Sequence, residues 1–210
     1  MGTTAVRTVT ISASYGAAGS VIGPAVAAAL GTPFLDRGIP REVAERLSVP
    51  LEDALSHDDK IASGFWRGLA FTAMPTLYES GVAAPAVLSD ETFRMNTEAV
   101  LRKLADTTGG VILGRAAQFV LAGRPDVLTV RLDGALDRRI AQAVAGGEGD
   151  EATARKRQRE LDRARDAYVK RFYRSDPCEA RHYHLVIDST VLDIATCVDL
   201  IVRAATRTAA

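Results

Sequence analysis

The stretch that decides the fold is Ile11-Ser-Ala-Ser-Tyr-Gly-Ala-Ala-Gly-Ser-Val-Ile22. Just before it, Arg7-Thr-Val-Thr-Ile-Ser12 is short, β-branched and bounded by small residues, the pattern of a buried strand. Just after it, residues 21–30 are helix formers closed by Gly31. Proline is tolerated only in a helix's first turn, so Pro24 predicts a start near Val21 or Ile22. Between strand and helix, Gly16 and Gly19 allow the backbone to approach an anion closely. A helix N-terminus at that point adds unsatisfied N–H groups and the positive end of a dipole. A strand, a glycine turn and a helix in this order make a candidate phosphate site.

Working outward, Thr32-Pro-Phe-Leu-Asp36 predicts a second short strand, and residues 41–47 carry a helical pattern. Residues 91–107 read as a helix with Val100, Leu101 and Leu104 on one face. Gly109-Gly-Val-Ile-Leu-Gly-Arg115 runs from strand into loop, and residues 127–132 and 184–187 are further strands. A charged helical tract over residues 151–171 follows the glycine joint Gly146-Gly-Glu-Gly149, and a helix over residues 194–205 closes the chain. Strands alternating with helices predict a three-layer α/β fold: a parallel sheet of about five strands flanked by helices. The expected organisation is one domain over residues 1–210, with a small helical lid within residues 146–175. Between residues 51 and 90 an apolar stretch carries Phe65, Trp66, Leu69, Phe71, Met74, Leu77 and Tyr78. It reads as core, with a homodimer face as the alternative.

A length of 210 residues suits one domain, and 47% apolar with 25% charged residues excludes a disordered or fibrous chain. Twenty-six basic side chains balance 26 acidic ones, which argues against nucleic acid or an anionic membrane as the main partner. Cys178 and Cys197 are too few for a disulfide framework or a zinc site, and no activating motif surrounds either. His182 and His184 lack a third ligand of suitable type, so no side-chain metal site is expected. The first residues lack a secretory apolar core, Val6 breaks the myristoylation pattern, and the apolar run over residues 21–30 is too short to span a bilayer. These features predict a reduced, cytoplasmic protein whose partners are small molecules.

The Walker A pattern is Gly, four residues, Gly, Lys, then Ser or Thr. With its second Gly on Gly19, Ser14 stands at the first Gly, Ser20 at the Lys and Val21 at the hydroxyl. The loop thus lacks the point charge for the β- and γ-phosphates and the side-chain hydroxyl for Mg²⁺. On spacing alone, a glycine turn with no ligand is an equal reading.

Several further pieces stand in order along the chain: Val111-Ile-Leu-Gly-Arg115, Val130-Arg-Leu-Asp133 with Arg138 and Arg139, Asp162-Arg-Ala-Arg165 with Tyr168, and Tyr183-His-Leu-Val-Ile-Asp-Ser-Thr190. Together with the opening stretch they resemble the cytidylate kinase-like family, a group of P-loop proteins, over roughly residues 8–202. The resemblance implies a nucleoside monophosphate kinase fold, with ATP as phosphoryl donor, Mg²⁺ as its companion and a cytidylate-like nucleotide or related small molecule as acceptor. It implies that Ser14, Gly16, Ala17, Ala18, Gly19 and Ser20 form the donor-phosphate loop. Asp36 would open the monophosphate-binding region, with Arg37 or Arg41 on the acceptor phosphate; Asp36 reads equally as a helix cap. Arg115 matches an acceptor-phosphate arginine, and Asp162 and Arg165 match the pair that holds the acceptor from the lid side. These arginines suit phosphoryl transfer, which needs positive charge and positioning more than covalent help. Arg155, Arg157 and Arg159 read instead as a solvated face paired with acidic neighbours. The family usually carries a basic residue where this chain has Ser20. That departure supports a second reading, a nucleotide-binding or regulatory protein that kept the fold and lost catalysis.

Overall fold

A computed structural model describes residues 6–35 and 90–206. The helical pattern expected at 41–47, the apolar stretch at 65–78, and Asp36, Arg37 and Arg41 lie outside these residues. The chain divides into two compact units, one of residues 1–37 and 101–210 and the other of residues 38–100; the first holds the sheet and the loop described below.

Five parallel strands form one sheet in the order β2-β3-β1-β4-β5. They are β1 (Thr8–Ala13), β2 (Phe34–Leu35), β3 (Gly110–Leu113), β4 (Val127–Asp133) and β5 (Leu185–Asp188). The helices are α1 (Gly19–Leu30), α2 (Asp90–Asp106), α3 (Ala117–Val120), α4 (Leu136–Ala145), α5 (Glu151–Tyr173) and α6 (Ile194–Thr206). This is the α/β architecture read from the alternation of elements. The sequence pattern does not mark two of the helices, α3 and α4: α3 is a single turn, and α4 is a short helix whose buried face includes Arg139 beside Ile140 and Ala143.

β1 lies at the centre because its side chains alternate and both faces are covered. Val9, Ile11 and Ala13 pack with Ile22, Val26 and Ala27 of α1 and with Cys197, Ile201 and Ala205 of α6. On the opposite face of the sheet, Ile112 and Val127 join Leu101, Ala105, Ala117 and Leu121. A third cluster joins Tyr15 of the loop after β1 to Ile140 and Ala143 of α4 and Ala154 of α5. Burial of such a set is the main driving force for the fold.

α1 begins at Gly19, two residues before the expected start. Ala18 adopts a left-handed conformation (φ 52°) and ends the loop there, so the helical turn starts earlier and Pro24 falls inside the helix. The carbonyl of Ser20 therefore receives no N–H from position 24. The order of strands also creates a switch point: the chain leaves β1 toward β2 on one side and β4 toward β5 on the other. In open α/β sheets a ligand crevice opens at the carboxyl ends of such strands, and both strands carry polar groups there.

Leu132 of β4 is fully buried in the central cluster. We expect Leu132→Ala to cost about 2–5 kcal/mol in urea-induced unfolding, because the surrounding strands and helices cannot close the gap.

Candidate functional site

The loop over residues 14–18 joins the end of β1 to the start of α1. Its shape is fixed by backbone geometry: Gly16 has φ 77°, and a Cβ there would overlap the backbone carbonyl oxygen of Arg139. Ala17 N–H closes a turn onto the Ser14 carbonyl (3.1 Å), and Val21 and Ile22 N–H both reach the Ala18 carbonyl. Ser14 N–H is taken by Leu132 O (3.1 Å), and Ser189 Oγ donates to Ala17 O (2.9 Å). Among the described residues, the N–H groups of Gly16, Ala18, Gly19 and Ser20 have no protein acceptor. Four backbone donors at the entry to a helix of 12 residues fit an anion. The two positions where a Walker loop carries cation and hydroxyl are exposed; Val21 is 55% accessible.

Three arginines grip three consecutive residues at the loop's start. Arg165 Nη1 donates to Ala13 O (3.1 Å), Arg131 Nη2 to Ser14 Oγ (2.9 Å), and Arg139 Nη1 to Tyr15 O (2.8 Å). They come from α5, β4 and α4. Two carboxylates tie them together. Asp133 accepts from Arg131 (2.9 Å) and lies 3.5 Å from Arg139 Nε. Asp162 accepts from Arg139 (3.0 Å), Gln158 (3.0 Å), Arg165 (3.3 Å) and the N–H of Tyr15 (3.0 Å).

Burial opposes ionisation of Asp162, but the Tyr15 N–H, Gln158 and the two guanidiniums together hold its carboxyl below the ordinary range. Burial also opposes the charge on Arg131, which Asp133 nevertheless keeps firmly protonated. Burial and the Glu148 carboxylate push the Tyr15 phenol up to about 12, so it stays neutral at any physiological pH. Burial, with Asp162 and Asp176 nearby, pushes the Asp166 carboxyl up.

Asp162 is held among four donors at the start of the loop after β1. Both of its oxygens face that loop and the arginines beside it, so it fastens α5 to the loop. Arg165 lies next to it at the end of β1. Arg115 sits half-buried at the end of β3 in the left-handed region (φ 60°), with Ala116 also left-handed (φ 51°). Consecutive non-glycine residues in that region hold local strain, which the surrounding fold sustains. Arg155 pairs with Glu151 (2.9 Å) and Asp137 (2.8 Å) on the surface. His184 Nδ1 accepts from Thr129 N–H, and His182 Nε2 meets Ser175 Oγ at 2.8 Å, so both rings have local partners. Among the described residues no cluster of His, Cys, Asp or Glu is disposed to hold a metal ion, and no helix is long and apolar enough to cross a membrane.

The sequence reading missed Arg131 and Arg139 as parts of the site. The available signal was the alternation in β4: Arg131 falls on the same face as Thr129 and Asp133, a cation within a buried central strand. A charge at such a place needs a partner.

The family model described as the cytidylate kinase-like family matches residues 8–191. No curated protein matches the sequence. Among solved structures, an uncharacterized protein from Eubacterium ventriosum ATCC 27560 is similar with a TM-score of 0.65 at 18% identity, over 94% of this chain and 97% of that one. The shikimate kinase from Bacteroides thetaiotaomicron is similar with a TM-score of 0.50 at 14% identity, over 93% of this chain and 94% of that one. At these identities the likeness is one of fold, the P-loop kinase fold.

Two outcomes test the geometry. Asp162→Asn removes the charge that compensates buried Arg139 and should destabilise the protein by about 3 kcal/mol or more at neutral pH. Because the native carboxyl is held low, its contribution is complete above the unfolded value of about 3.9 and is lost as pH falls through the folded one. The gap in urea midpoint between wild type and Asp162→Asn should therefore be constant above about pH 5 and shrink in stronger acid. Gly16→Ala should cost about 2 kcal/mol or more through its left-handed backbone and the clash with Arg139, measured by thermal unfolding.

Proposed function

The chain belongs to the cytidylate kinase-like family, and on that premise we propose that it transfers a phosphoryl group from ATP to a small acceptor, with nucleoside monophosphates the first class to test. The observation that carries this reading is the set of four unengaged N–H groups on Gly16, Ala18, Gly19 and Ser20 at the start of α1. They provide a preorganised cradle for donor phosphates, and preorganised donors are the main device of phosphoryl transfer. Ser14, Ala17 and the backbone of Ser20 complete the loop.

ATP fits this cradle through its phosphates, and Mg²⁺ would enter with it, held by phosphate oxygens and water, because Val21 offers no ligand. When bound, the ion would neutralise charge between the β- and γ-phosphates. In the same reading Arg115, at the end of β3, binds the acceptor phosphate, Arg37 or Arg41 shares that role, and Asp36 opens the monophosphate-binding region. Arg165 adds positive charge at the end of β1. Asp162 holds an acceptor hydroxyl from the lid side and also keeps the loop's shape through Tyr15 N–H. Residues 146–175 act as the lid, with α5 as its rigid part, excluding water from the transferred group. The compartment in this reading is the cytoplasm.

Ser20 and Val21, lacking cation and hydroxyl, favour a second reading in which the protein binds nucleotide without turning it over. A coupled ADP-release assay against nucleoside monophosphates, nucleosides and other small alcohols separates the two. The kinase reading expects turnover with at least one acceptor; ATP binding by calorimetry with no turnover for any acceptor supports the second. In that case Ser20→Lys with Val21→Thr should create activity if the loop is the defect.

A further inference from the structure

Arg131 and Ser14 form a pair that neither the family resemblance nor the glycine pattern assigns. Ser14 stands where the Walker spacing calls for glycine, so the loop carries a hydroxyl at that position. Its Oγ is buried and accepts from Arg131 Nη2 at 2.9 Å. A serine hydroxyl has one proton to give; with Arg131 occupying a lone pair, that proton is directed away from the guanidinium. Among the described residues the Ser14 hydroxyl has no protein acceptor for it.

Arg131 is itself fixed. It lies on the central strand β4, opposite Ser12 of β1, is 7% exposed, and bonds Asp133 through Nε (3.2 Å) and Nη2 (2.9 Å). Its remaining neighbours are Ser12 Oγ at 3.5 Å, Cys178 Sγ at 3.6 Å and the Tyr183 ring. The other two arginines at the loop end on backbone carbonyls and share Asp162, whose charge offsets theirs. Three guanidiniums meet the carboxylates of Asp133 and Asp162 beside a loop that has no lysine, and Asp166 also faces Arg131 and Asp162.

Resting on the reading of the loop as a donor-phosphate cradle, we propose that Arg131 and Ser14 form a guanidinium–hydroxyl relay that takes over the work of the missing lysine. Arg131 is a positioning residue. It donates to Ser14 Oγ, polarises the O–H bond and aims its proton at a phosphate oxygen of the bound polyphosphate. A hydroxyl held in this way is a stronger donor than a free one, because hydrogen bonds in a chain polarise one another and one member is charged. The buried position raises the effect, since the field of the guanidinium is screened less than at the surface. Ser14 makes the contact, and the charge stays one bond behind it.

The test is a double-mutant cycle read by calorimetry with ATP and with inorganic tripolyphosphate. Ser14→Ala and Arg131→Gln should each lower affinity on the order of tenfold, and the double variant should lose no more than either single one. Thermal unfolding shows which variants are folded. If Arg131→Gln does not fold, Arg131→Lys replaces it in the cycle and should keep part of the affinity when Ser14 is present and add nothing when it is Ala. Adding Ser20→Lys to Ser14→Ala should restore binding by returning a cation to the loop. Additive losses, or unchanged affinity in Ser14→Ala while wild type binds both ligands, would overturn the relay and leave the cradle intact. A wild-type protein that binds neither ATP nor tripolyphosphate would remove the cradle reading itself, and the relay with it.

Discussion

Residues Ala13, Ser14 and Tyr15 are each held by a different arginine, and the shape of the loop that follows depends on this grip. Fixing the backbone of such a loop costs about 1–2 kcal/mol per residue in conformational entropy, and burial of Tyr15 and Ala17 offsets part of it. Arg165, Arg131 and Arg139 counter that cost from three separate elements. The Arg139 backbone fills the space beside Gly16, so the loop is set by contact as well as by hydrogen bonds. Donors that are already in place need no rearrangement when a charged ligand arrives.

Gathering guanidiniums at one point is unfavourable unless their charge is shared, and Asp133 and Asp162 share it. Asp162 has a further role because it also accepts Tyr15 N–H, which couples α5 to the loop through one carboxylate. Any movement of α5 away from the loop would break bonds to Tyr15 and Arg139 together. α5 and the loop are therefore one mechanical unit at this junction, and the lowered pKa of Asp162 is the electrostatic trace of that coupling.

Much of the scaffold was legible in the chain because it follows from local rules. The alternation in Arg7-Thr-Val-Thr-Ile-Ser12 marked β1, Gly31 marked the end of α1, and the acidic–basic pattern marked α5. The start of α1 was read two residues late, because Pro24 argued for a first-turn position while Ala18 in the left-handed region set the boundary earlier. The amphipathic face of α4 is only 10 residues long, too short to stand out beside its arginine pair. The acid–arginine pair Asp162 and Arg165 stood out in the sequence, but its contacts to Tyr15, Arg139 and Ala13 did not, since spacing along a helix does not say what that helix faces.

The sequence by itself determined the parallel α/β scaffold, the glycine turn before α1 and the family, because strand alternation, helix capping and glycine placement act over a few residues. Only the tertiary structure decided which charges meet that turn. Arg131, Arg139 and Asp162 lie more than 100 residues from Ser14 and Tyr15 in the chain, and no local rule couples residues at such separation. They are brought together by the register of β4 against β1 and the packing of α4 and α5 beside the loop, where a buried charge must find a partner or raise the energy of the fold.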